Sequence, residues 1–279
     1  MQTTVKKALL LLSPSLVGVL GFYVLPVLAG GVFTLWSPAQ GFLGLRPFAS
    51  VATNAMFRLG VGNTALFVAV CVPVTLLCAL GISFLIDRFR SASRWMQSLM
   101  LLPYILPTVV VIFVFRWIYD YNGVVNHVLS CFRGERVLWF SGAAMRLVIL
   151  TLFVWKNTGF YVVILSARLS GTPKEQLEAA QLDGANFFHL FFSVYLPHLL
   201  PTIVFSIVMC TVQALDIFRE CFLFSGNYPS QEIYTLQHFI YNCFHRGDYN
   251  SAVTALYALL PVIALMVWGL LREGSHEKS

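Results

Sequence analysis

Between residues 65 and 86 the chain reads ALFVAVCVPVTLLCALGISFLI, apolar and uncharged until Asp87-Arg88 closes it. A helix needs about 20 such residues to cross a hydrocarbon core about 30 Å thick. Runs of this kind recur, and spans are expected at about 8–36, 61–86, 95–119, 147–167, 199–222 and 250–271. Each must be helical, because a chain in lipid has to satisfy its own backbone hydrogen bonds. Composition points the same way: 58% of the 279 residues are hydrophobic and 11% are charged, against about a quarter charged in soluble domains. A water-exposed globule is excluded, and the expected fold class is an all-α integral membrane protein with six transmembrane helices. Prolines within spans (Pro14, Pro26, Pro73, Pro103, Pro107 and Pro261) are expected as kinks supported by neighbouring helices. The first span contains Val27-Leu28-Ala29, which resembles a small-residue cleavage site. Its apolar run is about twice a signal-peptide core, so a retained anchor is expected.

An even number of spans leaves both termini on one side. Basic residues divide almost evenly between the two sides, but the segments on the side holding Arg88, Arg90, Arg94, Arg168 and Lys174 are together the shorter. Their higher basic density places those loops, with both termini, in the cytoplasm. The polar stretches 37–60, 120–146, 168–189 and 223–249 are each too short for an independent core, so residues 1–279 are expected to form a single membrane domain. Cys71, Cys78 and Cys210 lie in spans, where a thiol is a small apolar filler. Cys131, Cys221 and Cys243 fall on the outer side and leave one disulfide open. The histidines form no metal-ligand set, and no metal site is expected.

The loop at about 168–197 is unlike the others. Thr172 suits an N-cap, Pro173 the first helical position and Glu175 the return partner of a capping box. A helix should therefore run from Pro173 to about Leu182. Gly184 then supplies the left-handed residue that ends many helices. Asn186 can cap a second helix with an aromatic face (Phe187, Phe188, Phe191), which stops near Pro197 or bends there into the fifth span. Two readings fit these residues equally: helices lying on lipid headgroups, or a rigid docking element for a soluble partner.

The spacing Glu178-Ala179-Ala180, two residues, Asp183-Gly184-Ala185, then Phe191, Val194, Leu196-Pro197 and Pro201 resembles the EAA loop of ABC importer permeases. Asp before the glycine is similar to the carbohydrate-uptake members. Asn63-Thr64, Leu102-Pro103, Pro107, Gly123, Asn126, Trp155-Lys156 and Tyr241-Asn242-Cys243-Phe244 also resemble the family. Within it, the chain looks more like the first-listed permease of a heterodimeric pair. Phe218-Arg219 and Asn227-Tyr228-Pro229 depart from the family's Phe-Asp and Gly-Gly-Pro, which bears on substrate and receptor contacts.

The resemblance implies a cytoplasmic helix–Gly–helix coupling loop between helices 4 and 5. It carries over an ATPase-coupling role to Glu178, Ala179, Ala180, Asp183, Gly184, Ala185 and Phe188. The implied partners are a second permease subunit, a cytoplasmic ABC ATPase dimer, an extracytoplasmic solute-binding protein and membrane lipid, with no nucleic acid. The implied location is the cell (inner) membrane. No cofactor is expected on this chain, ATP and Mg being used by the partner ATPase. The resemblance also implies a transport subunit rather than an enzyme. The residues themselves agree in one respect: no GxxxxGK[ST] phosphate loop is present, so any ATP hydrolysis must come from elsewhere.

A charge at the centre of a span costs about 2.5–3.5 kcal/mol on insertion scales and is a functional suspect. Lys156 is such a residue; it lines a solute pathway, with Trp155 or Tyr161 as stacking face, or it snorkels, or it pairs with a carboxylate such as Asp216. The structural pairing is favoured. Gln213 is suited to a solute hydroxyl or to an interhelical hydrogen bond, the commoner fate. Arg116 and Asp120 are expected at the outer rim. The expected solute is a sugar or oligosaccharide, with a peptide, polyamine or phosphorylated polyol as alternatives. Ion-coupled secondary transport would leave the loop unexplained. An intramembrane enzyme would need GxSxG, HExxH or paired intramembrane carboxylates, and none is evident in the sequence.

Overall fold

The computed structural model describes residues 2–37, 41–88 and 93–276; Arg90, one of the basic residues placed in the cytoplasm, lies outside them. In chain order the helices are α1 (Gln2–Val19), α2 (Leu25–Leu35), α3 (Arg46–Thr53), α4 (Ala55–Arg88), α5 (Ser93–Ile105), α6 (Thr108–Ile118) and α7 (Val124–Arg133). They continue as α8 (Gly142–Ser170), α9 (Lys174–Leu182), α10 (Phe187–Leu190), α11 (Leu196–Leu215), α12 (Phe218–Ser225), α13 (Leu236–His245) and α14 (Tyr249–His276). One short antiparallel pair, β1 (Trp36–Ser37) with β2 (Gly41–Phe42), follows α2.

Four helical stretches among the described residues are long and apolar enough to cross a membrane: Leu11–Leu35, Ala55–Asp87, Gly142–Ser170 and Phe188–Ser225. Trp95–Ile105 and Thr108–Ile118 qualify together as a fifth, but they bend by 93°. The expected span at 95–119 is therefore not one continuous helix. Pro107 disfavours helical backbone at Leu106 and has no N–H to give. Its own backbone is extended (φ −56°, ψ 131°), and α6 starts afresh, with the Val111 N–H bonding the Pro107 carbonyl at 3.2 Å. The expected sixth span, 250–271, lies inside α14, where several side chains beyond Pro261 are outside the described set.

Two other prolines widen a helix without breaking it. π-helical turns at Leu20–Val24 and Phe191–Tyr195 sit immediately before Leu25-Pro26 and Leu196-Pro197. In each case the residue preceding proline donates its N–H five residues back, Leu25 to Leu20 and Leu196 to Phe191. A proline ring clashes with the carbonyl four residues earlier in an α-helix, and the wider turn relieves that clash. The second helix of the loop consequently runs on into the fifth span and does not stop at Pro197.

The chain forms two compact units, Met1–Arg58 with Phe239–Ile263, and Leu59–His238 with Ala264–Ser279. In the first, the apolar side chains of Leu11–Leu35 are largely exposed, as lipid contact requires. Gly30 and Gly31 lie under the ring of Tyr257, whose hydroxyl donates to the Val27 carbonyl. The second unit is organised around α8. Met145, Val148, Ile149, Leu152 and Phe153 are buried along one stretch, then Tyr161, Val162, Leu165 and Leu169 along the next. The steps of three and four are those of a helix face. All of these residues but Leu169 share one core cluster with Phe67 and Cys71 of α4, Val111 of α6, and Cys210 and Ala214 of α11. Gly159 lets α5 approach α8 backbone to side: a β-carbon there would lie 1.6 Å from the Met100 carbonyl oxygen.

Buried polar side chains tie the connecting segments to this core. Asn63 donates to the carbonyls of Gln231 (2.6 Å) and Tyr234 (2.9 Å) and accepts from Arg146 at 3.0 Å. Thr64 accepts the Leu236 N–H at 3.0 Å. Asn126, fully buried, donates to the carbonyls of Tyr121 (3.1 Å) and Val137 (2.9 Å) and accepts from the Val137 N–H and the Trp139 indole, both at 3.0 Å. The Nδ1 of His238 accepts the Thr235 N–H at 3.1 Å, and burial pushes this imidazole down to about 4, so it is neutral near pH 7. All six cysteines are free; Cys221 and Cys243 are buried and Cys131 is exposed.

Candidate functional site

The loop between α8 and α11 is built as a braced corner. α9 ends at Leu182, and Gly184 takes φ +80°, the left-handed conformation that carries a steric cost for any side chain. The Ala185 N–H reaches back to the Ala180 carbonyl at 3.0 Å and the Asp183 N–H to the Ala179 carbonyl at 3.1 Å. The Ala185 bond is the six-to-one closure typical of a glycine-ended helix. Asn186 Oδ1 accepts the His189 N–H at 2.9 Å and so caps the second helix. The start of the first helix differs from expectation. The helix begins at Lys174, and the Thr172 hydroxyl is buried without a hydrogen-bond partner, so no capping box forms.

Two contacts hold this corner to the bundle. Phe84 of α4 packs against Phe191 (centroids 5.6 Å apart) and edge-on against Tyr195 (5.2 Å). At the base, Arg168 Nε donates to the His198 carbonyl at 3.0 Å, and the His198 ring pairs with the Arg168 carbonyl oxygen at 3.1 Å. On the other side, Glu178, Ala179, Asp183 and Gly184 are exposed, and Ala180 and Ala185 half-buried. Leu182 and Phe188 are 89% and 70% exposed. A rigid corner, anchored behind and bearing small residues, two acids and two large apolar side chains in front, is suited to a shaped partner surface.

A polar cavity of about 470 Å³ lies at the break between α5 and α6, lined by Tyr104, Leu106, Pro107, Thr108, Phe153, Lys156, Asn157, Gln213, Asp216, Arg219 and Glu220. Lys156 donates to Thr108 Oγ1 at 2.5 Å and to Glu220 Oε1 at 3.1 Å. The partner of Lys156 is thus Glu220 and not Asp216. Both ends of this pair are little exposed (12% and 11%), while Asp216 faces more open space and pairs with Arg219 at 3.1 Å. Removing one member of a buried pair strands the other charge, at a cost of about 3–5 kcal/mol. Asp216 and Glu220 share one cavity wall, a carboxylate pair that sequence reading did not detect, and each is matched to a cation.

Of the five pathway candidates, the cavity gathers Lys156, Gln213 and Asp216. Tyr161 is fully buried and donates its hydroxyl to Gln213 Oε1 at 2.8 Å, an interhelical bond. Trp155 belongs to a separate apolar cavity with Met100, Pro103 and Gly159. Adjacent helical residues point about 100° apart, so Trp155 and Lys156 do not share a wall. The aromatics that line the cavity with Lys156 are instead Phe153 and Tyr104, the latter stacked on Phe160 with ring centroids 5.0 Å apart. Tyr104, Thr108, Asn157 and Glu220 are not among the sequence candidates, and Arg219 figures there only as a departure from the family pattern; the charges at 216, 219 and 220 inside an apolar run are the available signal. Arg116, expected at the rim, donates to the Phe224 carbonyl at 2.5 Å.

Long apolar helices around a polar cavity define a multi-pass membrane protein. Residues 72–273 match the family described as "Binding-protein-dependent transport system inner membrane component", and the chain belongs to that family. It is 27% identical over 94% of its length to the trehalose/maltose transport system permease protein MalF of Thermococcus litoralis, covering 92% of that protein. It is 30% identical over 83% of its length to the sulfoquinovosyl glycerol transport system permease protein SmoG of Agrobacterium fabrum, covering 76% of it. Its fold is that of a chain in a bacterial importer of the acidic polysaccharide alginate (TM-score 0.79, 20% identity, 99% of this chain and 98% of that one). The same holds for the alginate transporter in complex with its alginate pentasaccharide-bound periplasmic protein (TM-score 0.82, 21% identity, 97% and 95%).

Proposed function

We propose that the chain is a permease subunit of an ATP-driven, binding-protein-dependent importer for a sugar or oligosaccharide. It forms half of the translocation pathway beside a second permease. A cytoplasmic ATPase dimer, which binds the ATP and Mg, grips the helix–Gly184–helix element and drives alternating access. Six spans complete the subunit, with the bent α5–α6 pair as the third and α14 as the sixth, and both termini lie in the cytoplasm. An extracytoplasmic solute-binding protein delivers solute to the opposite face. The observation that carries this reading is the exposed corner around Gly184, braced from behind by Phe84 and by the Arg168–His198 contacts. The relatives named for trehalose/maltose and sulfoquinovosyl glycerol support a saccharide.

Purification in mild detergent tests the assembly. A tagged chain is expected to bring down an ABC ATPase and a second permease in fixed proportion. Solute uptake by the chain alone in liposomes, driven by an ion gradient, would overturn the reading.

A further inference from the structure

We propose that the cavity at the α5–α6 break selects uncharged saccharides, with Glu220 and Arg219 as specificity-determining residues. This rests on the reading of that cavity as the solute passage. Its wall carries four charged groups in two ion pairs, Lys156 with Glu220 and Arg219 with Asp216, each at 3.1 Å. Two cations against two carboxylates leave no net charge. The Lys156 ammonium is further held by Thr108 at 2.5 Å and is little exposed, so it is not available to a solute anion. An anionic solute finds no unpaired cation here: it must break the buried Lys156–Glu220 pair, which is strongly disfavoured, or take Arg219 from Asp216 and leave that carboxylate beside its own charge. A cationic solute meets the same obstacle.

Apart from these paired charges, the polar groups left with an open hydrogen-bonding position are neutral. The Gln213 carbonyl oxygen accepts from Tyr161, which leaves the Gln213 amide nitrogen without a partner among the described residues. The Asn157 amide donates to the Phe153 carbonyl at 2.8 Å, leaving its own oxygen unpartnered among them. One donor and one acceptor on facing helices match the two roles of a sugar hydroxyl. Tyr104, held flat against Phe160, offers a ring to the C–H face of a pyranose. A volume of about 470 Å³ is in the range of small-molecule sites. The same wall excludes a polyamine and a phosphorylated polyol.

Saturation-transfer NMR on the purified permease–ATPase complex, without the solute-binding protein, separates this wall's choice from the receptor's. The probes are neutral glucose and galactose disaccharides, each paired with the disaccharide of the same linkage carrying a uronate. Each neutral sugar is expected to bind at least tenfold more tightly than its acidic counterpart. Glu220→Gln, which strands Lys156 as a cation, is expected to shrink that ratio at least tenfold, and adding Lys156→Gln to restore it. Should Glu220→Gln fail to assemble, Arg219→Gln at the more exposed pair is expected to widen the preference for the neutral sugar. Equal binding of acidic and neutral sugars by the unmodified complex, or a ratio that these changes leave unmoved, overturns the proposal. No disaccharide binding by a complex that still hydrolyses ATP overturns the cavity as passage as well, and leaves the family assignment intact.

Discussion

Glu178→Lys and Gly184→Val are each expected to lower solute uptake at least tenfold while the chain still inserts and the ATPase still co-purifies. Within the chain neither change does much. Glu178 is exposed, and a β-carbon at Gly184 meets nothing within 4 Å. The internal cost of valine at 184 is the left-handed backbone, of the order of 1–2 kcal/mol, too little to unfold a domain with stability of about 5–15 kcal/mol. A large loss of uptake must then arise outside this chain; on the proposed docking, a partner donor to Glu178 would meet a cation and the corner would present a branched side chain. Charge-assisted hydrogen bonds are roughly twice as strong as neutral ones, so under the proposed docking the reversed charge would exchange an attraction for a repulsion at the coupling contact. Uptake assays at matched membrane abundance check this; normal uptake by either variant contradicts it.

Gly159→Val has the opposite signature: the chain itself fails. The added β-carbon would sit 1.6 Å from the Met100 carbonyl oxygen and 2.4 Å from its carbon. These are backbone atoms of α5, so no side-chain rotation relieves the overlap, and α5 must move off α8. Overpacking costs typically about 1–3 kcal/mol, and displacement of a whole helix lies at or above that upper end. Fluorescence-detected size-exclusion after heating is expected to show a clear drop in Tm and reduced membrane abundance. A variant with an unchanged Tm would mean that α5 does not approach α8 at this glycine.

The contrast between the two glycines shows what a sequence can reveal. Gly184 follows an amphipathic run and precedes a capping Asn186, so its left-handed role is local and readable from neighbours. Gly159 sits mid-helix between Thr158 and Phe160, and nothing beside it in sequence signals that Met100 will cross there. The same division holds elsewhere. Asn186 caps as local spacing suggests, whereas Thr172 does not, because its hydroxyl is buried where the chain leaves α8. Pro103 and Pro107 read alike as tolerated kinks, yet only the second separates two helices, by 93°. Lys156 was legible as a charge needing a partner. Choosing Glu220 over Asp216 required the orientation of α12 after the turn at Asp216-Ile217, which is a tertiary fact. The departure from the family pattern at Arg219 falls on that same cavity wall.

Docking of an ATPase on the helix–Gly184–helix element is tested most directly by photo-crosslinking from Ala179→Cys. Cys78 and Cys131, the two exposed native thiols, are replaced, and the new thiol carries a benzophenone in the assembled complex. Light is expected to join this chain to the ATPase, with a yield that changes on adding ATP. The same probe on native Cys131, in a chain retaining Ala179 and lacking Cys78, is expected to give no ATPase adduct. Crosslinks from position 179 to lipid alone, with or without ATP, would contradict the docking role.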